Sequence, residues 1–350
     1  MDESYAVHES QTGQRKRDHI QINLQQDVTH QMSTGLESYR FTHRALPEID
    51  LDQIDTGTTL LNHALRVPLL ISSMTGGTTD ADQINARLAE AAQASGIAMG
   101  LGSLRAALEM PHLADTFRVR AWAPDILLLS NLGAAQLNYG YDETHCLRAV
   151  ELVEADGLIL HLNPLQEALQ PNGDTRWSGL LSKIERVCRA LPVPVIAKEV
   201  GWGISGETAR RLADAGVAAI DVAGAGGTSW SQVEMHRAQD KISRRVAAHF
   251  RDWGIPTVES MRAVQRAVPG LPMISSGGVR HGLDVAKVLA LGASAAGMAE
   301  PFLRAAVTST EAVTELIEEV SRTLRIAMFV VGAIDIAALQ ATPLVKGSNS

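Results

Sequence analysis

The sequence predicts an α/β fold, a parallel (β/α)8 TIM barrel with an N-terminal extension covering the barrel mouth, and three observations carry that reading. Eight short runs are almost wholly apolar: 67–72, 97–100, 126–130, 157–161, 193–198, 218–222, 272–276 and 294–298. Strands buried on both faces have this composition. Stretches with helical spacing of apolar residues lie between the runs, the alternation that builds parallel sheets. Polar residues and glycines gather directly after nearly every run, and barrel chemistry sits at the C-terminal ends of the strands. The competing topology is an open doubly wound sheet. Its G-x-G-x-x-G turn would follow the first strand, where this chain reads Ser73-Met74-Thr75-Gly76-Gly77.

A barrel takes about 250 residues, so the 350 residues here read as a single domain with flanking segments. Residues 1–13 and 344–350 are polar and expected to be flexible, and 14–66 form an extension with short strands over one end. Residues 67–305 supply the barrel, and 306–342 supply C-terminal helices. Several helix starts are legible. Asp80 with Gln83 forms a capping box ahead of Ile84, Leu88 and Ala91; Ser205 caps the helix carrying Leu212. Thr308 with Glu311 opens an apolar stripe of Val313, Leu316, Ile317, Val320 and Leu324, and Met328 to Leu339 is core or interface. Composition of 45% hydrophobic and 20% charged residues excludes general disorder, and a net charge of −8 argues against a nucleic-acid partner. Cys146 and Cys188 are too few for a disulfide framework or structural zinc site. The N-terminus lacks the apolar core of a signal peptide, and the apolar stretch 326–334 stops at Asp335, short of the ~18 residues of a membrane span. The plain reading is a soluble cytoplasmic protein with no membrane partner.

The strand ends hold the candidate site. Gly277-Gly278-Val279-Arg280 after the seventh run, beside Gly226-Gly227-Thr228 after the sixth, suits phosphate, because glycines let backbone N–H groups approach an anion. Lys198 ends a buried run, and a buried ammonium needs an anion. Either it pairs with Glu199 or Asp221, or it stands beside the electron-rich edge of a flavin, with Met74 and Asn131 contributing to the same ring. His161, Asn163, Gln166 and Glu167 form the richest polar run; Glu167 suffices for Mg²⁺ if the substrate brings phosphates. Arg15-Lys16-Arg17-Asp18-His19 is basic in an acidic chain. It is a solvated tail, or a cationic clamp for phosphate if it folds over the mouth.

Taken together, Arg15-Lys16-x-Asp18-His19, Met74-Thr75-Gly76-Gly77, Gly102-Ser103-x-Arg105, His161-Leu162-Asn163-Pro164-Leu165-Gln166-Glu167 and Lys198-Glu199-Val200-Gly201 resemble the type 2, FMN-dependent isopentenyl-diphosphate isomerases. The resemblance runs from Arg15 to about Leu303, and the His161–Glu167 segment is its most specific part. It implies FMN at the barrel mouth, active when reduced, with NADPH or NADH as reductant. It also implies Mg²⁺ and a homo-oligomer, tetramer or larger. The implied reaction interconverts isopentenyl and dimethylallyl diphosphate in isoprenoid biosynthesis, with no net redox change. Ser73, Met74, Thr75, Ser103, Asn131, Lys198, Thr228, Gly278, Arg280, Ala299 and Glu300 would contact FMN. Arg15, Lys16, Ser103, Arg105 and Gln166 would contact substrate, Glu167 would hold Mg²⁺, and Gln166 and His161 are the catalytic candidates. Ala223 stands where the family often has Ser, and Leu104 replaces a polar residue.

No side chain in these motifs is a strong acid for an unactivated alkene, so proton transfer is expected from the reduced flavin, with Gln166 assisting. Two alternatives stay open. An FMN-dependent 2-hydroxy-acid oxidase or dehydrogenase would need a His base near the sixth or seventh loop, and the loop 224–229 has none. A non-catalytic flavin-binding barrel is the other. A nucleotide dehydrogenase would need a Cys in a mouth loop, whereas Cys146 and Cys188 fall in predicted helices. His236 and His281 are read as surface or structural residues.

Overall fold

A computed structural model describes residues 3–74 and 79–347, with side chains from residue 14 onward except those of 79 and 80. The extension comprises helix α1 (Glu3–Gln25) and strands β1 (Tyr39–Phe41), β2 (Thr58–Leu60) and β3 (His63–Leu65). The barrel strands follow: β4 (Leu69–Ile71), β5 (Ala98–Gly100), β6 (Leu128–Gly133), β7 (Gly157–Leu162), β8 (Val195–Glu199), β9 (Ala219–Asp221), β10 (Met273–Ser275) and β11 (Ala295–Met298). They close in the order β10-β11-β4-β5-β6-β7-β8-β9, and every pairing is parallel. Each of the eight apolar runs therefore overlaps one barrel strand, with β7 and β8 each running one residue further. The third runs on to Gly133, because Asn131, Leu132 and Gly133 keep pairing with Ile159, Leu160 and His161.

The connecting helices are α2 (Thr79–Ser95), α3 (Arg105–Glu109), α4 (Glu143–Glu151), α5 (Pro164–Leu169), α6 (Leu180–Ala190) and α7 (Gly206–Asp214). After β9 come α8 (Trp230–Arg237), α9 (Lys241–Ala248) and α10 (Thr257–Ala267); after β10 comes α11 (Gly282–Ala290). The chain ends with α12 (Glu300–Thr308), α13 (Thr310–Val331), α14 (Ile336–Gln340) and strand β12 (Leu344–Lys346). Cys146 and Cys188 lie in α4 and α6, and burial pushes both thiols up, to about 12 and about 11.

Strand periodicity sorts the side chains into two cores. Leu70, Ala98, Leu129, Ile159, Ile196, Ala219, Ile274 and Ala295, one from each strand, meet inside the barrel. Their neighbours Leu69, Ile71, Leu158, Leu160, Val195 and Ala197 face outward under the helices, as a period of two requires. Leu60 and Leu65 of the β2–β3 hairpin pack against the inner cluster and close the N-terminal end of the barrel. The extension thus serves both ends, since α1 lies at the opposite one, along the mouth cavity.

The structure adds detail at both ends of the chain, corrects one helix cap and resolves one open alternative. Helix α1 begins at Glu3, inside the segment expected to be flexible. Its polarity hid this: a helix polar on most faces depends on being held at its end. Here Arg304 donates to the carbonyls of Asn23 and Leu24, while Ile20 and Leu24 pack on the core. At the other terminus Leu344–Lys346 pairs antiparallel with Tyr39–Phe41. That pairing joins opposite ends of the chain, so no local pattern announces it. Ser309, not Thr308, caps α13 by accepting from the Ala312 N–H, because α12 extends through Thr308. The segment from Met328 is core of this chain, with Met328, Val331, Ile336 and Leu339 all buried. Ser205 caps α7 as expected, accepting from the Thr208 N–H. The capping box at Asp80 involves a side chain outside the described residues.

Leu60 is 1% exposed. Leu60→Ala should therefore cost about 2–5 kcal/mol, the range for a truncated core leucine. Denaturant titration of the two proteins measures the difference.

Candidate active site

Two residues beyond each inner apolar side chain, the same face of the strand reaches the mouth. Those positions are Ser72, Gly100, Asn131, His161, Lys198, Asp221, Ser276 and Gly297. Two parts of the layer are cross-linked. Ser276 Oγ donates to Asp221 Oδ1 at 2.6 Å, Lys198 Nζ lies 3.4 Å from Asp221 Oδ2, and His161 Nδ1 is 2.8 Å from Asn131 Oδ1. Gly297 has to be glycine, since a Cβ would come within 2.7 Å of Ser72 Oγ and 2.8 Å of Ser276 Cβ. Of the two anions considered for Lys198, the structure supplies Asp221; from Glu199 the ammonium takes only the backbone carbonyl, at 2.8 Å. The Glu199 carboxylate instead accepts from the N–H groups of Val200, Gly201 and Trp202.

Above this ring lies a cavity of about 530 Å³. One side is glycine-rich. Gly278 has φ +74°, and a Cβ there would sit 2.4 Å from Thr34 Cγ2 and 2.6 Å from the Gly226 carbonyl oxygen. Arg280 braces the facing loop by donating to that same carbonyl at 3.1 Å. Ala299 and Glu300 bring the start of α12 to the cavity wall, adding its dipole. Ala223 also lines the cavity, and its φ of 36° is a left-handed conformation that few residues with a Cβ adopt. The Oγ atoms of Ser72 and Ser73 are buried without hydrogen-bond partners among the described residues. Unpaired buried hydroxyls beside a glycine cradle suit a polar ring system carrying a phosphate.

The other side is cationic. Helix α1 brings Arg15 and Lys16 into the cavity, and Arg105 faces them from α3. Lys16 Nζ donates to the Ser103 carbonyl at 3.3 Å. Burial, reinforced by Arg15, pulls the Lys16 ammonium down to about 7. Arg105 is tied to Asp174 at 2.7 Å and Glu109 at 2.8 Å. Between the two sides, Gln166 Nε2 donates to Glu234 Oε1 at 3.1 Å, and Asn163 Nδ2 donates to Gln166 Oε1 at 3.1 Å. His19 Nε2 lies 3.2 Å from the same Glu234 oxygen. Burial raises the Glu234 carboxyl, but the His19 hydrogen bond, with Arg237 and Gln166, outweighs it, and the net shift is downward. Burial, then Lys198 and Arg15, pulls His161 down to about 4, so its imidazole is neutral near pH 7.

Comparison with known proteins fits this geometry. FMN-dependent dehydrogenase is the family description that matches residues 9–124 and 163–346. An isopentenyl-diphosphate delta-isomerase of Nostoc sp. is 54% identical over 332 residues, covering 95% of both chains. One from Rickettsia bellii is 52% identical over 330 residues, covering 94% of this chain and 96% of the relative. The chain belongs to the isopentenyl-diphosphate delta-isomerase family. A solved mandelate oxidase variant with (S)-mandelic acid superposes with TM-score 0.67 at 19% identity, covering 98% of each chain; at that identity the likeness is one of fold.

In this member of the isomerase family, the residues singled out in the sequence come together. Every residue assigned there to flavin, substrate, Mg²⁺ or catalysis lines the one cavity except Thr75, which lies outside the described residues, as do Gly76 and Gly77 of its motif. Sequence reasoning passed over Trp230 and Glu234. Both lie on α8, where Glu234 is 2% exposed and Trp230 packs edge-on against His19 at 5.0 Å. The signal available was a carboxylate one residue after the buried Val233, on the face of a helix that follows the glycine loop. Asp221 was weighed only as a partner of Lys198, not as part of a ring.

Two outcomes follow from this geometry. Gly278→Ala should abolish retention of flavin while the fold survives, seen as loss of visible absorbance with unchanged far-ultraviolet circular dichroism. Lys16 carries its proton below about pH 7 and loses it above. Binding of inorganic diphosphate above that pH should therefore take up protons, and Lys16→Arg should reduce the uptake. Calorimetry in buffers of different ionisation enthalpy measures it.

Proposed function

We propose that this protein interconverts isopentenyl diphosphate and dimethylallyl diphosphate using reduced FMN, in isoprenoid biosynthesis. The observation that carries the reading is a single cavity with a glycine-lined phosphate cradle on one side and Arg15, Lys16 and Arg105 on the other. A flavin and a separate diphosphate need those two ends. The 54% identity to named isomerases supports it. The hydroxy-acid oxidase reading is disfavoured, because neither loop 224–229 nor loop 277–280 offers a histidine base. His281 caps α11 by accepting from the Asp284 N–H.

When bound, reduced FMN supplies a proton donor and acceptor next to the alkene and electron density to balance a cationic transition state. The chain does the rest. Ser73, Met74, Thr75, Ser103, Asn131, Thr228, Gly278, Arg280, Ala299 and Glu300 would hold the cofactor, and Lys198, paired with Asp221 at 3.4 Å, would favour its anionic form. Arg15, Lys16 and Arg105 bind the diphosphate, with Ser103 beside them. That remote binding energy fixes the five-carbon chain over the reacting face. Gln166 passes or orients a proton, with the Glu234 carboxylate behind it as acceptor. The neutral His161, bonded to Asn131, serves as a hydrogen-bonding group and not as a strong acid.

Glu167 is the Mg²⁺ ligand in this reading. Its carboxylate accepts from Asn163 Nδ2 at 2.9 Å, from Gln170 and from the Asp174 N–H at 2.6 Å. The nearby Asn163 Oδ1 is buried with no donor. The residues fit a cation held by one carboxylate and completed by water and phosphate oxygens; among the described residues no cluster of three or more acidic, His or Cys side chains offers an all-protein cage. NADPH or NADH would serve as the reductant of the flavin. No described helix is long and apolar enough to cross a membrane, in keeping with a cytoplasmic place. A homo-oligomer, tetramer or larger, belongs to the same reading.

The test is incubation of the reduced flavoprotein with isopentenyl diphosphate in D2O. Deuterated dimethylallyl diphosphate should form only with reduced flavin; oxidation of a 2-hydroxy acid instead would select the oxidase. Glu167→Gln should raise the Mg²⁺ concentration giving half-maximal turnover by about tenfold or more, the effect of losing a principal ligand interaction of ~1.4 kcal/mol or greater.

A further inference from the structure

Helix α1 carries Arg15 and Lys16 to the cavity, yet few of its contacts are apolar. Three arginines fasten the segment to the barrel. Arg304 holds the C-terminal carbonyls of α1, and Arg251 pairs with Asp27 at 2.5 Å just beyond it. The third, Arg237 on α8, stands at the level of the cationic residues. Its Nη1 lies 2.5 Å from Glu234 Oε2, and its Nε lies 3.7 Å from Asp18 Oδ2. That Nε is buried and makes no hydrogen bond among the described residues, and it reaches the helix through the ion pair with Asp18. The side chain of Arg237 is 16% exposed, and that of Glu234 is 1% exposed. One guanidinium therefore touches both the carboxylate behind Gln166 and the helix that delivers the diphosphate ligands.

We propose that Arg237 is a positioning residue that latches α1 over the mouth through Asp18 and, with the same guanidinium, holds Glu234 ionised beside Gln166. The first half stands on the fold alone; the second rests on the isomerase reading. The groups facing Glu234 are His19 and Arg15 from α1, Gln166 from α5 and Arg237 on its own helix. Loss of Arg237 removes a cation from the Glu234 carboxylate, so its protonation should begin at higher pH. Loss of the Asp18 charge frees the helix while leaving the Glu234–Arg237 pair in place.

The experiment compares the FMN-loaded protein with Asp18→Asn, Arg237→Gln and Arg237→Lys. Limited trypsinolysis at Arg15, Lys16 and Arg17 reads the latch. Asp18→Asn and Arg237→Gln should be cut faster by up to about fivefold, the worth of a partly exposed ion pair of ~1 kcal/mol. KM for isopentenyl diphosphate should rise by a similar factor, while kcat of Asp18→Asn stays unchanged. Arg237→Gln alone should move the acid limb of the kcat–pH profile upward, and Arg237→Lys should restore it. Native cleavage rates in both Asp18→Asn and Arg237→Gln would overturn the latch. An unmoved acid limb in a turning-over Arg237→Gln enzyme would overturn the link to Glu234. If no protein turns over, the isomerase reading has failed, and the cleavage rates still decide the latch.

Discussion

The site depends on the two-residue period of a β-strand. Inside the barrel each strand presents one apolar side chain to a shared layer, and two positions later it presents another residue to the mouth. A one-residue slip in any strand would turn its polar residue under the helices and an apolar one into the cavity. Leu60 and Leu65, plugging the opposite end, help fix the strands in that register. The polar ring is therefore a consequence of barrel packing, built on strands rather than on loops.

Within the ring, charge is handled by pairing. Asp221 is fully buried, and Lys198 and Ser276 are its polar partners. His161, near Lys198 and Arg15 and shielded from water, is left neutral. Arg15, Lys16 and Arg105 are gathered at the other end of the cavity, where an anionic ligand can meet them. Arg15 and Lys16 both have depressed proton affinities, chiefly from burial. That destabilisation is relieved when a diphosphate binds, so the free protein is set up for an anion.

Much of this was legible in the sequence because barrel strands and their ends are local features. Eight apolar runs located eight strands, and the residues just past them located the cavity. Gly278, Lys198 and the run from His161 to Glu167 could be singled out because glycine at a tight approach, a cation in a buried strand and a dense polar run are each improbable by chance. Glu234 could not, because its importance comes from helix α8 meeting α1 and α5 in space. The pairing of Leu344–Lys346 with Tyr39–Phe41 was hidden for a related reason: the two segments lie at opposite ends of the chain, so no local pattern joins them.

The central claim is that the barrel mouth uses a reduced flavin for proton traffic alone. Counting electrons against product measures it most directly. With the flavin reduced once by a stoichiometric amount of NADPH under anaerobic conditions, many molecules of dimethylallyl diphosphate should form per reducing equivalent. A yield of one product per two electrons, with the flavin left oxidised, would contradict the account.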